Sequence, residues 1–134
     1  MINSARNPHY FNNLSKGHFP EHLGIKITHV EAGKMEGEMP IKKEFFAPNG
    51  YLHAGSIISF ADTLAGYASV AHLPENAKTF TTIELKSNFT GAIKQGMLIG
   101  ECIAEHLGRT THVWRVIVKD EATDKKIAIF SARR

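Results

Sequence analysis

The sequence predicts an α+β domain in which one long buried helix is wrapped by a single curved antiparallel sheet of five to six strands. Three observations lead there. A proline-free run, AGSIISFADTLAGYASVAHL, has small or apolar residues around most of its circumference, as a buried helix does. The segments before and after it alternate with a period of two, as strands do. Gly-rich or polar turns separate most of these strands, and short connections favour antiparallel pairing. A lone buried helix needs a sheet as its cover.

Taken in chain order, residues 1–20 are polar and broken by Pro8, Gly17 and Pro20, which reads as a loosely attached arm with one short helix through Tyr10, Phe11 and Leu14. Residues 23–30 and 34–41 form a hairpin around Ala32 and Gly33, with Met35, Gly37, Met39 and Ile41 alternating against Glu36, Glu38 and Pro40. The turn Pro48, Asn49, Gly50 leads into the long helix. Past Pro74 the period of two returns, with Ile83, Leu85, Ser87 and Phe89 on one face. Segments 97–107 and 111–119 follow turn signals at Gly96 and Gly108, and a last strand, 126–132, follows EATDK. The expected order is hairpin, helix, then four strands joined by short turns.

The whole chain, 1–134, reads as one domain, since 134 residues support one core and not two. Its 43% hydrophobic and 22% charged residues exclude a disordered chain. One cysteine, Cys102, excludes an intrachain disulfide framework and a cysteine-rich metal cluster, and no metal or other cofactor is expected. No apolar run approaches the ~18 residues of a membrane span, and a cytoplasmic location is expected, with no membrane partner. The net charge of +3 suits an anionic ligand. Its basic pairs, Lys42–Lys43, Lys125–Lys126 and Arg133–Arg134, are scattered and read as solvated surface, so no nucleic-acid partner is expected.

Candidate chemistry concentrates in APNGYLHAGSIISFAD, residues 47–62. The first amides of a helix have no acceptor within it, so the N–H groups near Ala54 and Gly55 form a candidate carbonyl-binding site, and Gly55 permits close approach. Asn49 is a good turn residue beside Gly50. His53 either fixes the preceding loop or serves the site. Asp62 stands in an otherwise small and apolar run, where a carboxylate either faces water or has a reason to be buried.

APNGYLHAG, followed nine residues after its histidine by an acid, resembles the hotdog-fold thioesterase superfamily, in particular its phenylacetate-pathway-like (PaaI-type) branch with the pattern NGxLHxG. TTIELKSNF is similar to that family's following strand, and LGRTTHVWRVIVKDEATDKKIA to its last two. The resemblance spans roughly residues 20–132. It implies hydrolysis of an acyl or aryl-acyl coenzyme A thioester, with Asp62 as nucleophile or general base. The N–H of Ala54 is implied to polarise the carbonyl, assisted by His53, and Thr82 to place the attacking water. Relatives carry Asn or Gln where this chain has Ala47, a role for which Asn49 is the available stand-in. Lys86, Arg109 and Arg115 are candidates for the coenzyme A phosphates.

The resemblance also implies a homodimer with shared active sites, assembled into a tetramer as a dimer of dimers. Helix geometry agrees on the sharing: Ala54 and Asp62 lie ~12 Å apart along a continuous helix, too far to serve one carbonyl. The competing readings are a hotdog-fold acyl-thioester hydratase or dehydratase, and a non-catalytic acyl-CoA-binding domain. The presence of Asp62 disfavours the second.

Overall fold

The structure is a computed structural model that describes residues 2–74 and 79–134. Two short helices, α1 (Pro8–Leu14) and α2 (Phe19–His22), precede the hairpin β1 (Lys26–Glu31) and β2 (Lys34–Pro40). A 3₁₀ turn, Lys43–Phe45, leads to the long helix α3 (Ala54–Ala71), followed by β3 (Glu84–Phe89), β4 (Met97–Leu107), β5 (His112–Asp120) and β6 (Lys126–Arg133). All six strands form one antiparallel sheet in the order β1-β2-β4-β5-β6-β3.

That order corrects one expectation. β3 and β4 are not joined as neighbours: β3 pairs with β6 at the far edge, and the chain then returns to set β4 against β2. The apolar residues expected on one face of this strand, Ile83, Leu85 and Phe89, are all exposed.

α3 buries Ile57, Phe60, Ala61, Leu64, Ala65, Ala68 and Ala71 against the sheet. Its close approach is made possible by two glycines that face each other across β2 and β4, Gly37 and Gly100. A Cβ at Gly100 would stand 2.5 Å from Leu64 Cδ1 and 2.9 Å from Phe60 Cε2, and one at Gly37 would stand 2.7 Å from Leu64 Cδ2. The pair leaves a bare patch of backbone into which the helix settles, at separations no side chain permits. The opposite side of α3, with Ile58, Ser59, Asp62 and Thr63, is only half-buried, so the helix is less enclosed than its composition suggests.

Polar groups fix the far end of α3. Trp114, fully buried on β5, donates its indole N–H to Ser69 Oγ at 2.8 Å, and Ser69 Oγ also lies 3.1 Å from His112 Nδ1. His72 Nε2 accepts the Gly33 N–H at 2.9 Å while its Nδ1 donates to the Ala68 carbonyl at 2.7 Å. These two bonds require a neutral ring with its proton on Nδ1. Burial pushes the pKa of His72, and that of His112, below the ordinary histidine value.

The arm is not loosely attached. Its expected helix exists, and Phe11 is fully buried against Tyr67, with ring centroids 4.9 Å apart. Ser15 Oγ and the Tyr67 hydroxyl are 2.7 Å apart, and Arg6 donates to the Val70 carbonyl. Asn12 acts as a one-residue strand: its side-chain oxygen accepts the Ile27 N–H at 2.8 Å and its amide donates to the Ile27 carbonyl at 3.0 Å.

Candidate functional site

α3 begins at Ala54 because His53 caps it. His53 has extended backbone angles (φ −63°, ψ 135°), and its Nδ1 accepts the Gly55 N–H at 2.8 Å. One of the two amides expected to be free is therefore already satisfied. The Ala54 N–H has no acceptor among the described residues. With Nδ1 accepting, the neutral His53 ring carries its proton on Nε2, which remains available to a ligand. A Cβ on residue 55 would fall 3.0 Å from His53 Nδ1, so glycine here makes room for the capping ring.

Asn49 is occupied with its own turn, its Oδ1 accepting the Tyr51 N–H at 3.1 Å. Asn49, His53, Ala54, Ile57, Phe89 and Ile93 are among the residues that line a cleft of about 470 Å³, largely apolar, with the free Ala54 N–H at its margin. The structure thus brings Asn49, His53 and Ala54 together at the start of α3.

Asp62 is elsewhere. Eight residues further along α3, its side chain is 39% exposed and paired with Arg134, whose Nη2 lies 2.6 Å from Asp62 Oδ1 and 2.9 Å from the Asp62 carbonyl oxygen. Arg134 Nη1 also donates to Thr82 Oγ1. Asp62 and Thr82 are therefore neighbours through a shared guanidinium, with Asp62 ~12 Å along the helix from Ala54.

Arg134 is the residue that sequence reasoning missed. Beside Arg133 it reads in the sequence as solvated surface, yet it is 5% exposed. The signal was there in the strand period: Ala128, Phe130 and Ala132 are buried at alternate positions of β6, and the next in that series is Arg134.

The basic candidates are dispersed. Arg109 lines a second cavity of about 490 Å³ together with Phe80, His112 and Arg134, at the far end of α3. Arg115 is held by Glu105 at 2.9 Å on the sheet surface, and Lys86 is exposed on β3. Cys102 is fully buried, and burial pushes its thiol above its ordinary pKa, which rules it out as an accessible nucleophile. Among the described residues no helix is long and apolar enough to cross a membrane.

A sequence model of the thioesterase superfamily matches residues 49–127, which begins at Asn49 and takes in all the site residues but Arg134. The proofreading thioesterase EntH of Klebsiella pneumoniae is 36% identical over 100 residues, covering 75% of this chain and 72% of its own. The 1,4-dihydroxy-2-naphthoyl-CoA hydrolase of Listeria monocytogenes is 28% identical, covering 81% of this chain and 87% of its own. Among solved structures, a mutant of the thioesterase PA1618 from Pseudomonas aeruginosa superposes with a TM-score of 0.91 at 24% identity, over 98% of this chain and 94% of that one. The E. coli PaaI protein of the phenylacetic acid degradation operon superposes with a TM-score of 0.83 at 19% identity, over 97% and 92%. The helix-wrapped sheet is thus the hotdog fold, and the chain belongs to the thioesterase superfamily as a thioester hydrolase.

Proposed function

We propose that the protein hydrolyses an acyl or aryl-acyl coenzyme A thioester to the free acid and coenzyme A, at a site shared between two antiparallel copies of α3. The observation that carries this reading is the separation of two complementary halves on one helix. A free amide borders an apolar cleft at one end, and a partly exposed carboxylate lies ~12 Å along the axis, beyond the reach of a single carbonyl. Two-fold symmetry sets each half beside its complement and creates two equivalent sites. The exposed apolar residues at the edge strand β3, Leu85 and Phe89 with Ile83 just before it, supply a surface for that pairing. A dimer of dimers is the further assembly in keeping with the family.

In this reading the Ala54 N–H of one copy donates to the thioester oxygen, with the His53 Nε2–H beside it, and makes the carbonyl carbon electrophilic. Thr82 orients a water against it. Asp62 of the other copy accepts a proton from that water as its oxygen attacks, and the charge developing on the carbonyl oxygen falls on the amide. The tetrahedral intermediate collapses with rupture of the C–S bond, and the proton held by Asp62 passes to the departing sulfur. Direct attack by Asp62, followed by hydrolysis of the resulting anhydride, uses the same groups. Thioesters have little resonance stabilisation to lose, so one donor and one carboxylate are sufficient machinery. Arg109, at the rim of the second cavity, is the best placed of the basic candidates to meet a coenzyme A phosphate, ahead of Lys86 and Arg115.

The acyl group, in this reading, occupies the apolar cleft lined by Ile57 and Phe89, whose volume of about 470 Å³ suits an aryl or medium-length chain. The test is release of free thiol from short-chain, long-chain and aryl acyl-CoAs by the native protein and by Asp62→Asn. That substitution conserves volume and lowers kcat by at least ~10²-fold with a small change in KM. Wild-type turnover by folded Asp62→Asn would dismiss the mechanism.

A further inference from the structure

Arg134 extends the β6 ladder by one residue. Its N–H donates to the His112 carbonyl at 2.9 Å, and its carbonyl accepts the His112 N–H at 3.1 Å. The alternation of the strand then turns its side chain inward, after Ala132, until the guanidinium reaches the middle of α3. There it makes three bonds: to Asp62 Oδ1, to the Asp62 carbonyl and to Thr82 Oγ1. Phe80 lies over it, with the ring centroid 5.3 Å from Cζ, and the side chain is 2% exposed.

A guanidinium withdrawn from water while its carboxylate partner stays 39% exposed is a poor device for stability, because desolvation falls on the cation and solvent screens the pair. Arg134 Nε has no acceptor among the described residues, which adds to the cost. Orientation gives the arrangement a use. The rigid fork of an Arg binds two groups in fixed relative geometry. Here the two groups are Asp62 and Thr82, from α3 and from the segment leading into β3.

We propose that Arg134 is a positioning residue, whose guanidinium holds Asp62 Oδ1 and Thr82 Oγ1 in one frame. The frame leaves Asp62 Oδ2 free to accept a proton and the Thr82 hydroxyl hydrogen free to orient the attacking water. The proposal rests on Asp62 being the reacting carboxylate. Since Thr82 accepts from Arg134 Nη1, its own O–H is not consumed by that contact. Asp62 Oδ2 has no partner among the described residues. A water that receives the Thr82 hydrogen and donates to Oδ2 keeps a lone pair for the carbonyl carbon. Arg134 does not touch the substrate in this scheme; it acts through the two side chains it holds.

The experiment compares kcat and KM of Arg134→Ala, Arg134→Lys, Asp62→Asn and the double variant Asp62→Asn/Arg134→Ala, each checked for folding by circular dichroism and thermal melting. Arg134→Ala is expected to lose ~10-fold or more in kcat with KM within about threefold, the pattern of misplaced catalytic groups. Arg134→Lys keeps the charge but not the fork, and is expected to show a similar kcat loss in a protein that folds, which covers the case of an unfolded Ala variant. Guanidinium ion in the assay should restore kcat to Arg134→Ala and leave the double variant unrescued, a response that a purely structural role does not give. Wild-type kcat in folded Arg134→Lys, or in folded Arg134→Ala, overturns the proposal while an inactive Asp62→Asn leaves the proposed function standing. Full activity of Asp62→Asn overturns both.

Discussion

The proposed sharing of sites between two subunits makes a quantitative prediction for mixtures of two inactive chains. One carries Asp62→Asn. The other carries Ala54→Pro, which deletes the donor N–H at a position able to accept it. Ala54 is the first residue of α3, where proline is tolerated because no intrahelical bond is lost. His53 precedes it in the extended conformation, ψ 135°, that a residue before proline prefers. Each variant alone assembles two defective sites. In a mixed dimer one site joins both lesions, and the other joins an intact Asp62 to an intact Ala54. Random pairing makes about half the dimers mixed, each with one working site of two, so co-refolding restores about a quarter of wild-type turnover. The assay is thiol release after co-refolding at equal ratios, with dimer content measured by light scattering and mixed species counted by mass spectrometry. Mixed, folded dimers that stay inactive refute the shared-site argument, as does a folded monomer with full activity.

The remaining predictions concern stability. The folded protein holds His72 and His112 below their ordinary pKa, chiefly by desolvation, so the unfolded chain binds more protons as the pH drops. The stabilisation is complete above the unfolded pKa of ~6.5 and is lost as the pH falls from there towards the lowered folded values. Urea midpoints should therefore fall between pH 7.5 and 5.5, with a shallower slope in His72→Gln; a flat profile across the window would contradict the neutral-ring assignment. Gly100→Ala puts a methyl 2.5 Å from Leu64 Cδ1 and is expected to destabilise by about 1–3 kcal/mol, read as a lowered denaturation midpoint. An unchanged midpoint would mean that α3 can lift from the sheet without penalty.

Most elements were legible because their periods are local. α3 shows in its run of small and apolar residues, and the hairpin around Gly33 and the strands Met97–Leu107 and Lys126–Arg133 show in their alternation and flanking turns. The position of β3 at the far edge was not legible, since the period of a strand does not say which neighbour it will choose. Residues 1–20 read as loose because their polarity is averaged along the segment, whereas a few specific side chains, Arg6, Phe11, Asn12 and Ser15, fix them. At the site, Asp62 stood out as the lone carboxylate of an apolar helix, and His53 as the residue before its first turn. What escaped was the contact 72 residues away in sequence, where Arg134 meets Asp62. An adjacent pair of arginines reads as surface until the alternation of β6 assigns one of them to the interior.

The clasp of Asn12 on Ile27 bears on how large an assembly this sheet can build. A flat array of strands is an open-ended template, able to add copy upon copy wherever main-chain donors and acceptors lie bare. This one has two borders, β1 and β3, and on the β1 side a single amide already occupies the place an incoming strand would take. Among the described residues, the β3 border carries no such clasp. In the proposed pairing of two copies through that border, each outer border would be its own β1 with Asn12 on it, so strand addition would end at the pair and any further assembly would have to use faces of the sheet and not its edges.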